Sequence, residues 1–321
     1  MALSSMVTQY WPPPPTFTEK DVPSQQGRVF IVTGGNQGVG YELIKMLYST
    51  GAVIYMASRS EERAEKAIKD IVSADPAGSS RLRFLHLDLN DLNAVRTAAK
   101  TFSDQESRLD IIWNNAGVGA VKVGTKTKQG IEAHMGINVI APVLFTQLLL
   151  PKLQAAAATS PKNSVRIIWT SSCMMEQRSP KGGYNLKDIE NGGTNSTYIN
   201  YATSKSANWM VADEAGKRYG KDGIISVVQN PGNLNTQIYN TQSKLMMFFV
   251  RRLLYPPKLG GYTELYAGFS PEITEKQQGG LIIPWGRVQA RNPREDIYEA
   301  LEEGKGKELW DWIEAQIKAH A

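Results

Sequence analysis

The stretch Val29-Phe30-Ile31-Val32-Thr33-Gly34-Gly35-Asn36-Gln37-Gly38-Val39-Gly40 decides how the rest of the chain is read. Val29 to Val32 are apolar and mostly β-branched, the composition of a short strand buried on both faces. A glycine turn follows at once. Tyr41-Glu42-Leu43-Ile44-Lys45-Met46-Leu47-Tyr48 then opens a helix, with Val39, Leu43 and Leu47 four residues apart on one face. A strand that stops at glycines and restarts as a helix aims the helix's unpaired N–H groups into the turn. Those groups and the helix dipole favour an anion, usually a phosphate. The glycine spacing is Gly34-x-x-x-Gly38-x-Gly40 and not the G-x-G-x-x-G of the common dinucleotide fingerprint.

Outward from that turn, the chain's 321 residues are enough for one large core or two modest ones. The net charge is only +5, and the basic pairs Lys217-Arg218 and Arg251-Arg252 are short and separated, so no nucleic-acid surface is expected. Cys173 is the single cysteine, which rules out an internal disulfide and fits a reducing, cytoplasmic setting. His86, His134 and His320 lack metal-ligand spacing, so no metal site is expected. No apolar run reaches the roughly 18 residues of a membrane span, and the first residues lack a signal pattern. Trp11 and Pro12-Pro13-Pro14-Pro15 point to an extended, polyproline-like arm over residues 1–27, laid on the surface ahead of a single domain over 28–321.

Strand and helix patterns then alternate. Gly51 to Ala57 is a second strand ending at Ser58-Arg59-Ser60, and a helix starts at Glu61. At this point in a dinucleotide-binding sheet an acidic residue holds the ribose of NAD, whereas an arginine suits the 2′-phosphate of NADP. Ser58 stands where the acid would, and Arg59 follows, so the expected cofactor is NADP(H), with NAD(H) second. Leu82 to Leu87 is a third strand closed by Asp88-Leu89, and Leu92, Val95, Ala99 and Phe102 mark the next helix. Leu109 to Trp113 is a fourth strand, followed by Asn114-Asn115-Ala116-Gly117, a turn built for close approach. A long helix spans about Gly130 to Leu153 with Asn138 and Pro142 inside it. Val165 to Thr170 is a fifth strand that runs into Ser171-Ser172, and Ile224 to Val228 is a sixth. The pattern predicts an α/β doubly wound parallel sheet of about seven strands, with ligands at the strands' C-terminal ends.

A polar insert from Glu176 to Thr197 leads to Tyr201-Ala202-Thr203-Ser204-Lys205. The four-residue spacing puts the phenol and the ammonium on one helix face. A free phenol, with a pKa of about 10, exchanges protons poorly at neutral pH. A lysine ~4 Å away at an effective dielectric of ~20 contributes about 4 kcal/mol toward the phenolate, and desolvation opposes part of that. So tuned, a tyrosine can protonate a carbonyl oxygen or deprotonate an alcohol.

The glycine turn, Asn-Asn-Ala-Gly, Ser-Ser and Tyr-x-x-x-Lys, in this order, resemble the short-chain dehydrogenase/reductase family, a Rossmann-type fold. The resemblance covers the chain from about Arg28 to its last helix. Ser204-Lys205-Ser206-Ala207-Asn208 and the long gap before Tyr201 look like the retinol-dehydrogenase-like branch, and the C-terminal part is similar to members from filamentous fungi. The resemblance implies a catalytic set of Asn138, Ser172, Tyr201 and Lys205. Asn138 would hold a relay water, Ser172 rather than Ser171 the substrate oxygen, and Lys205 the nicotinamide ribose. It implies cofactor contacts from Gly34, Asn36, Gln37, Gly38, Val39 and Gly40, from Asp88 and Leu89 near the adenine, and from Asn115, Ala116 and Gly117. Tyr201 and Lys205 also face the cofactor, as do Pro231, Gly232 and Thr236 in Asn230-Pro231-Gly232-Asn233-Leu234-Asn235-Thr236. NADP-preferring members often carry a second basic residue where this chain has Gln37.

Residues 237–262 match the family's variable substrate lid. Leu245-Met246-Met247-Phe248-Phe249-Val250 there suits a greasy pocket, and beside Arg251-Arg252 it also has the composition of a membrane-surface segment. The expected reaction is hydride transfer between the nicotinamide and a lipophilic ketone, aldehyde or secondary alcohol. A redox-neutral reaction on the same cofactor and a non-catalytic dinucleotide sensor are the rival readings. Trp310, Ile313 and Ile317 share a face of a terminal helix over about 306–319, and the chain is expected as a monomer or homodimer.

Overall fold

The first strand, β1 (Val29–Thr33), has all five residues buried, because both of its faces are covered. Its side chains alternate between two cores: Val29 and Ile31 point to one side, Phe30 and Val32 to the other. A computed structural model of the chain describes residues 3–119, 121–235, 254–289 and 294–321. The remaining strands are β2 (Val53–Ser58), β3 (Leu82–His86), β4 (Ile111–Asn114), β5 (Val165–Thr170), β6 (Ile224–Gln229), β7 (Leu281–Ile283) and β8 (Arg287–Val288). They form one sheet in the order β3-β2-β1-β4-β5-β6-β7-β8. Every pairing is parallel except β7 with β8. The sheet thus has eight strands where about seven are expected from sequence. The extra one is two residues long, too short to show any alternation.

The order reverses direction between β1 and β4, and such a switch point opens a crevice at the strands' C-terminal ends. Helices α2 (Gly38–Leu47), α3 (Glu61–Val72) and α9 (Pro257–Phe269) cover the Phe30 side. Helices α4 (Leu92–Gln105), α5 (Ala133–Ala157) and α8 (Thr197–Tyr219) cover the Ile31 side, with α11 (Lys305–Ala319) packed outside α8. Trp310 and Ile313 of α11 are buried and Ile317 lies against the same core. Helix α5 is long and apolar enough to span a bilayer, yet 78% of its most apolar window is buried inside the protein, as in a core helix. The irregularity in α5 is a π turn at Gly136–Ile140, and Pro142 follows it at the start of the regular helix.

Two regions differ from the sequence expectation or escape it. The N-terminal arm is not extended throughout: Leu3–Tyr10 forms helix α1, and Gln9 on it is only 2% exposed. The prolines at 12–15 end this helix because they lack N–H donors. Thr236 and residues 237–253, including Leu245 to Val250, lie outside the described residues, and Pro257 to Tyr262 open α9.

Arg166 fixes α9 to the sheet. It is 4% exposed on β5. Its guanidinium donates to the carbonyls of Ala267, Ser270 and Ile273 at 2.9, 2.9 and 3.1 Å, closing the end of the helix where carbonyls lack partners. Burial lowers its pKa to about 10, which still leaves it charged at neutral pH. Arg166→Met should lower stability by about 2–4 kcal/mol, since it strands several buried carbonyls. Urea unfolding of the variant checks this, and a loss below about 0.5 kcal/mol would mean that α9 is held by its apolar face alone.

Candidate active site

At the switch point the ends of β1 and β4 almost touch. Thr33 Oγ accepts from the Ala116 N–H at 2.9 Å, and Asn115 Nδ2 donates to the Thr33 carbonyl at 2.8 Å. Gly34 has φ +69°, and a Cβ there would lie 3.1 Å from the Ala116 Cα. A Cβ on Gly40 would lie 2.7 Å from Asn115 Nδ2 and 2.8 Å from the Gly34 carbonyl oxygen. Only glycine fits at either place. Gln37 stands at the N-cap of α2 without a side-chain cap, so the first-turn N–H groups face the crevice unpaired by it. Asn36 is half-buried beside it, Gln37 is exposed and Val39 turns inward. This cradle fits a pyrophosphate, which needs backbone donors and no intervening side chains.

The neighbouring strand ends complete that half. Ser58 is 6% exposed and its hydroxyl has no partner, while Arg59 is exposed and forms no ion pair among the described residues. Asp88 is half-buried, and its carboxylate accepts the local Asn90 N–H at 3.0 Å; the cap of α4 is Asp91, not Asp88. Leu89 is buried.

The second half of the crevice is built on β5, α5 and α8. Ser171 and Ser172 point opposite ways, as successive residues leaving a strand do. Ser171 is 2% exposed and donates to the Lys205 carbonyl at 2.7 Å, so its hydroxyl is occupied in holding α8. Ser172 is half-buried and its hydroxyl accepts the Met174 N–H at 3.3 Å. Tyr201 is half-buried, with Lys205 Nζ 5.7 Å from its ring centroid. Asn138, within the π turn, accepts from the Val118 N–H at 2.8 Å and donates to Ser204 Oγ and the Val118 carbonyl at 3.0 Å each. Gly117 floors the space between: a Cβ there would stand 3.0 Å from Asn138 Oδ1 and 3.5 Å from Lys205 Nζ. Pro231 and Gly232 are half-buried on the loop after β6, and Gly232 has φ +99° against Trp285. Thr236 falls outside the described residues.

Glu264, on α9, is a functional candidate that the sequence did not show. Lys205 is 4% exposed and its ammonium donates to the Thr170 carbonyl at 2.9 Å. The Thr170 side chain is gripped from behind. Thr170 Oγ donates to Glu264 Oε1 at 3.2 Å, and Gln229 Nε2 donates to Thr170 Oγ and Glu264 Oε1 at 2.9 and 2.7 Å. Glu264 is fully buried, and its Oε2 has no partner among the described residues. Burial lowers Lys205 to about 8 and raises Glu264 to about 8, with the attraction between them opposing both shifts. No short-range spacing could reveal Glu264, since it meets Thr170 across ninety-four positions. His134 was equally invisible as a site residue. Its ring contacts Glu132 Oε1 at 2.7 Å and the Gly119 carbonyl at 2.6 Å, and it lies edge-on to Tyr201 at 6.1 Å. It thereby pins the loop that faces the phenol.

A family model for short chain dehydrogenase matches residues 28–184. The chain is 50% identical over 326 residues to the short-chain dehydrogenase/reductase iacJ of Pestalotiopsis fici, covering 99% of this chain and all of that protein. It belongs to the short-chain dehydrogenase/reductase family, a family of oxidoreductases. Among solved structures, NADPH-bound carbonyl reductase from chicken fatty liver aligns with a TM-score of 0.62 at 23% identity, over 83% of this chain and all of that one. The 3-ketoacyl-(acyl-carrier-protein) reductase of Brucella melitensis complexed with NADH aligns at 0.62 and 19%, over 82% and 99%. Both share the Rossmann-type fold.

Glu264 binds more protons folded than unfolded between its ordinary 4.5 and about 8. Its contribution to stability is therefore full below about 4.5 and is lost as pH rises through about 8. Glu264→Gln removes that titration. The variant's stability relative to the parent should rise by roughly 1–3 kcal/mol between pH 5 and pH 8.5. Melting curves of both proteins across that range read the difference, and a flat difference would show that Glu264 does not take up a proton on folding.

Proposed function

We propose that the protein is an NADP(H)-dependent oxidoreductase interconverting a lipophilic ketone or aldehyde and the corresponding alcohol. The observation that carries this reading is the Lys205 ammonium placed beside both the Tyr201 ring and Gly117, with Ser171 spent on α8 so that Ser172 is the serine left for the substrate. When bound, the nicotinamide supplies or accepts the hydride. Ser172 Oγ donates to the substrate oxygen and holds it for Tyr201. The Tyr201 hydroxyl gives its proton to that oxygen in reduction and takes it back in oxidation. Lys205 favours the phenolate by charge, and its ammonium, with one bond spent on Thr170, keeps further N–H groups for a ribose. Asn138 anchors the π turn next to Lys205, where the widened turn suits a water that returns the proton to solvent. The residues of the glycine turn, Asp88, Leu89, Asn115 to Gly117, Pro231, Gly232 and Thr236 would hold the cofactor.

Preference for the 2′-phosphate rests on Ser58 in place of an acid and on Arg59, exposed and without a carboxylate partner at the crevice edge. The structural neighbours include proteins bound to NADPH and to NADH, so the reading of NADP(H) rests on Ser58 and Arg59. The lipophilic substrate rests on the composition of Leu245 to Val250, and a place in secondary metabolism on the likeness to fungal members.

Tyr201→Phe should lower carbonyl reduction by roughly a hundredfold or more while NADPH affinity stays within about twofold. Steady-state rates with fluorescence titration test it, and unchanged turnover would remove Tyr201 from the mechanism. Arg59→Ala should weaken NADPH binding by about 10–100-fold and leave NADH binding nearly unaltered. Equal effects on both cofactors would move the 2′-phosphate contact away from Arg59.

A further inference from the structure

Helix α1 lies against the parts of the protein that border the reacting atoms. Eight residues do not hold a helix in water, so its order comes from docking. Gln9 makes the central contact. Its Nε2 donates to Glu176 Oε1 at 2.7 Å, and its Oε1 accepts from Asn230 Nδ2 at 2.8 Å. Glu176 and Asn230 are themselves buried. Glu176 lies four residues beyond Ser172, on α6 (Met174–Arg178), and Asn230 opens the loop that carries Pro231 and Gly232. One buried amide therefore joins the substrate-side loop to the cofactor-side loop. The C-terminal carbonyls of α1 are also taken up: Arg287 donates to the Thr8 carbonyl at 2.7 Å and Tyr255 to the Tyr10 carbonyl at 3.3 Å.

Tyr10 continues this contact toward the catalytic serine. Its hydroxyl accepts from Gln177 Nε2 at 2.6 Å, and it lies near enough to the Cys173 thiol for the two groups to shift each other's ionisation. Cys173 directly follows Ser172, and its thiol donates to Asn233 Oδ1 at 3.6 Å. Tyr10 is half-buried and Cys173 only 6% exposed beneath it, whereas the next residue of the arm, Trp11, is 63% exposed. Gln9 thus holds Glu176 and Asn230, while Tyr10 bonds Gln177 and lies by Cys173, the residue after Ser172.

We propose that helix α1 is the fixed outer wall of the substrate site and that Tyr10 is the residue on it that limits substrate size. The proposal rests on the reductase reading for its substrate, while the wall itself is tested without turnover. Cys173 is the only thiol in the chain, and burial pushes its pKa up to about 11, so the intact wall keeps it unreactive. The experiment uses full-length wild type, Tyr10→Ala and, as a control on the same arm, Trp11→Ala. Each is labelled with 5,5′-dithiobis(2-nitrobenzoic acid), titrated with NADPH and assayed with acetophenone and with the larger 9,10-phenanthrenequinone.

Tyr10→Ala should label at least tenfold faster than wild type, keep NADPH affinity within twofold, and shift the kcat/KM ratio at least fivefold toward the larger ketone. Trp11→Ala should match wild type in all three. Labelling of Tyr10→Ala at the wild-type rate overturns the wall. Faster labelling with NADPH affinity also lost means general unfolding and overturns it too. A ketone ratio unchanged within twofold removes Tyr10 from substrate choice. If wild type binds NADPH and turns over neither ketone, the reductase reading falls with the size limit, and tenfold faster labelling of Tyr10→Ala still upholds the wall.

Discussion

A buried ammonium sets the terms for this site. Lys205 has been taken almost wholly out of water, and a lysine there keeps its charge only if the surroundings supply oxygen acceptors. The Thr170 carbonyl is the one acceptor the described residues give it, and that carbonyl is shared with Asn208 Nδ2, also at 2.9 Å. The carbonyl sits at the end of β5, one residue before Ser171. The position of the ammonium, the direction of Ser172 and the start of the substrate loop are thus set by the same few atoms of backbone. Moving any one of them moves the others.

The support behind Thr170 comes from the opposite face of the sheet. Thr170 Oγ reaches through to Glu264 and Gln229, and Trp113 Nε1 donates to the Glu264 carbonyl at 3.0 Å. Gly268 leaves room for the same indole, since a Cβ there would lie 2.4 Å from Trp113 Cζ2. Helix α9 is therefore the back wall of the active site as well as a covering for the sheet, and Arg166 secures its end. Taking a carboxyl group into this position is costly if it is ionised. Its raised pKa is the expected response, and it leaves a second proton-binding group one residue removed from Lys205.

What could be read from the sequence follows from how far apart the interacting residues lie along the chain. The glycine turn, Asn115 to Gly117 and the Tyr201–Lys205 pair each act within one strand end or one helix turn, and spacing alone exposes them. The buried strand β1 reads as a continuous apolar run because helices cover both faces, and β5 and β6 do so apart from buried polar residues such as Arg166 and Ser226. The two-residue β8 carries no period to detect. Glu264, Gln229 and His134 owe their meaning to partners on other elements, and a lone glutamate or histidine in a sequence reads the same whether it faces solvent or a catalytic lysine.

The N-terminal segment shows the same limit in another form. Pro12 to Pro15 dominate the composition of the arm and fix an extended conformation only for themselves. Leu3 to Tyr10 have no acidic first turn and are too few to hold a helix in water, so nothing local secures one. Their structure is dictated by Glu176, Asn230, Tyr255 and Arg287, four residues drawn from across the second half of the fold. The start of the chain is thereby seated on residues that follow β5 and β6, precede α9 and lie on β8. A segment of this length is thus ordered by contacts with residues far away in the chain, which no local spacing can reveal.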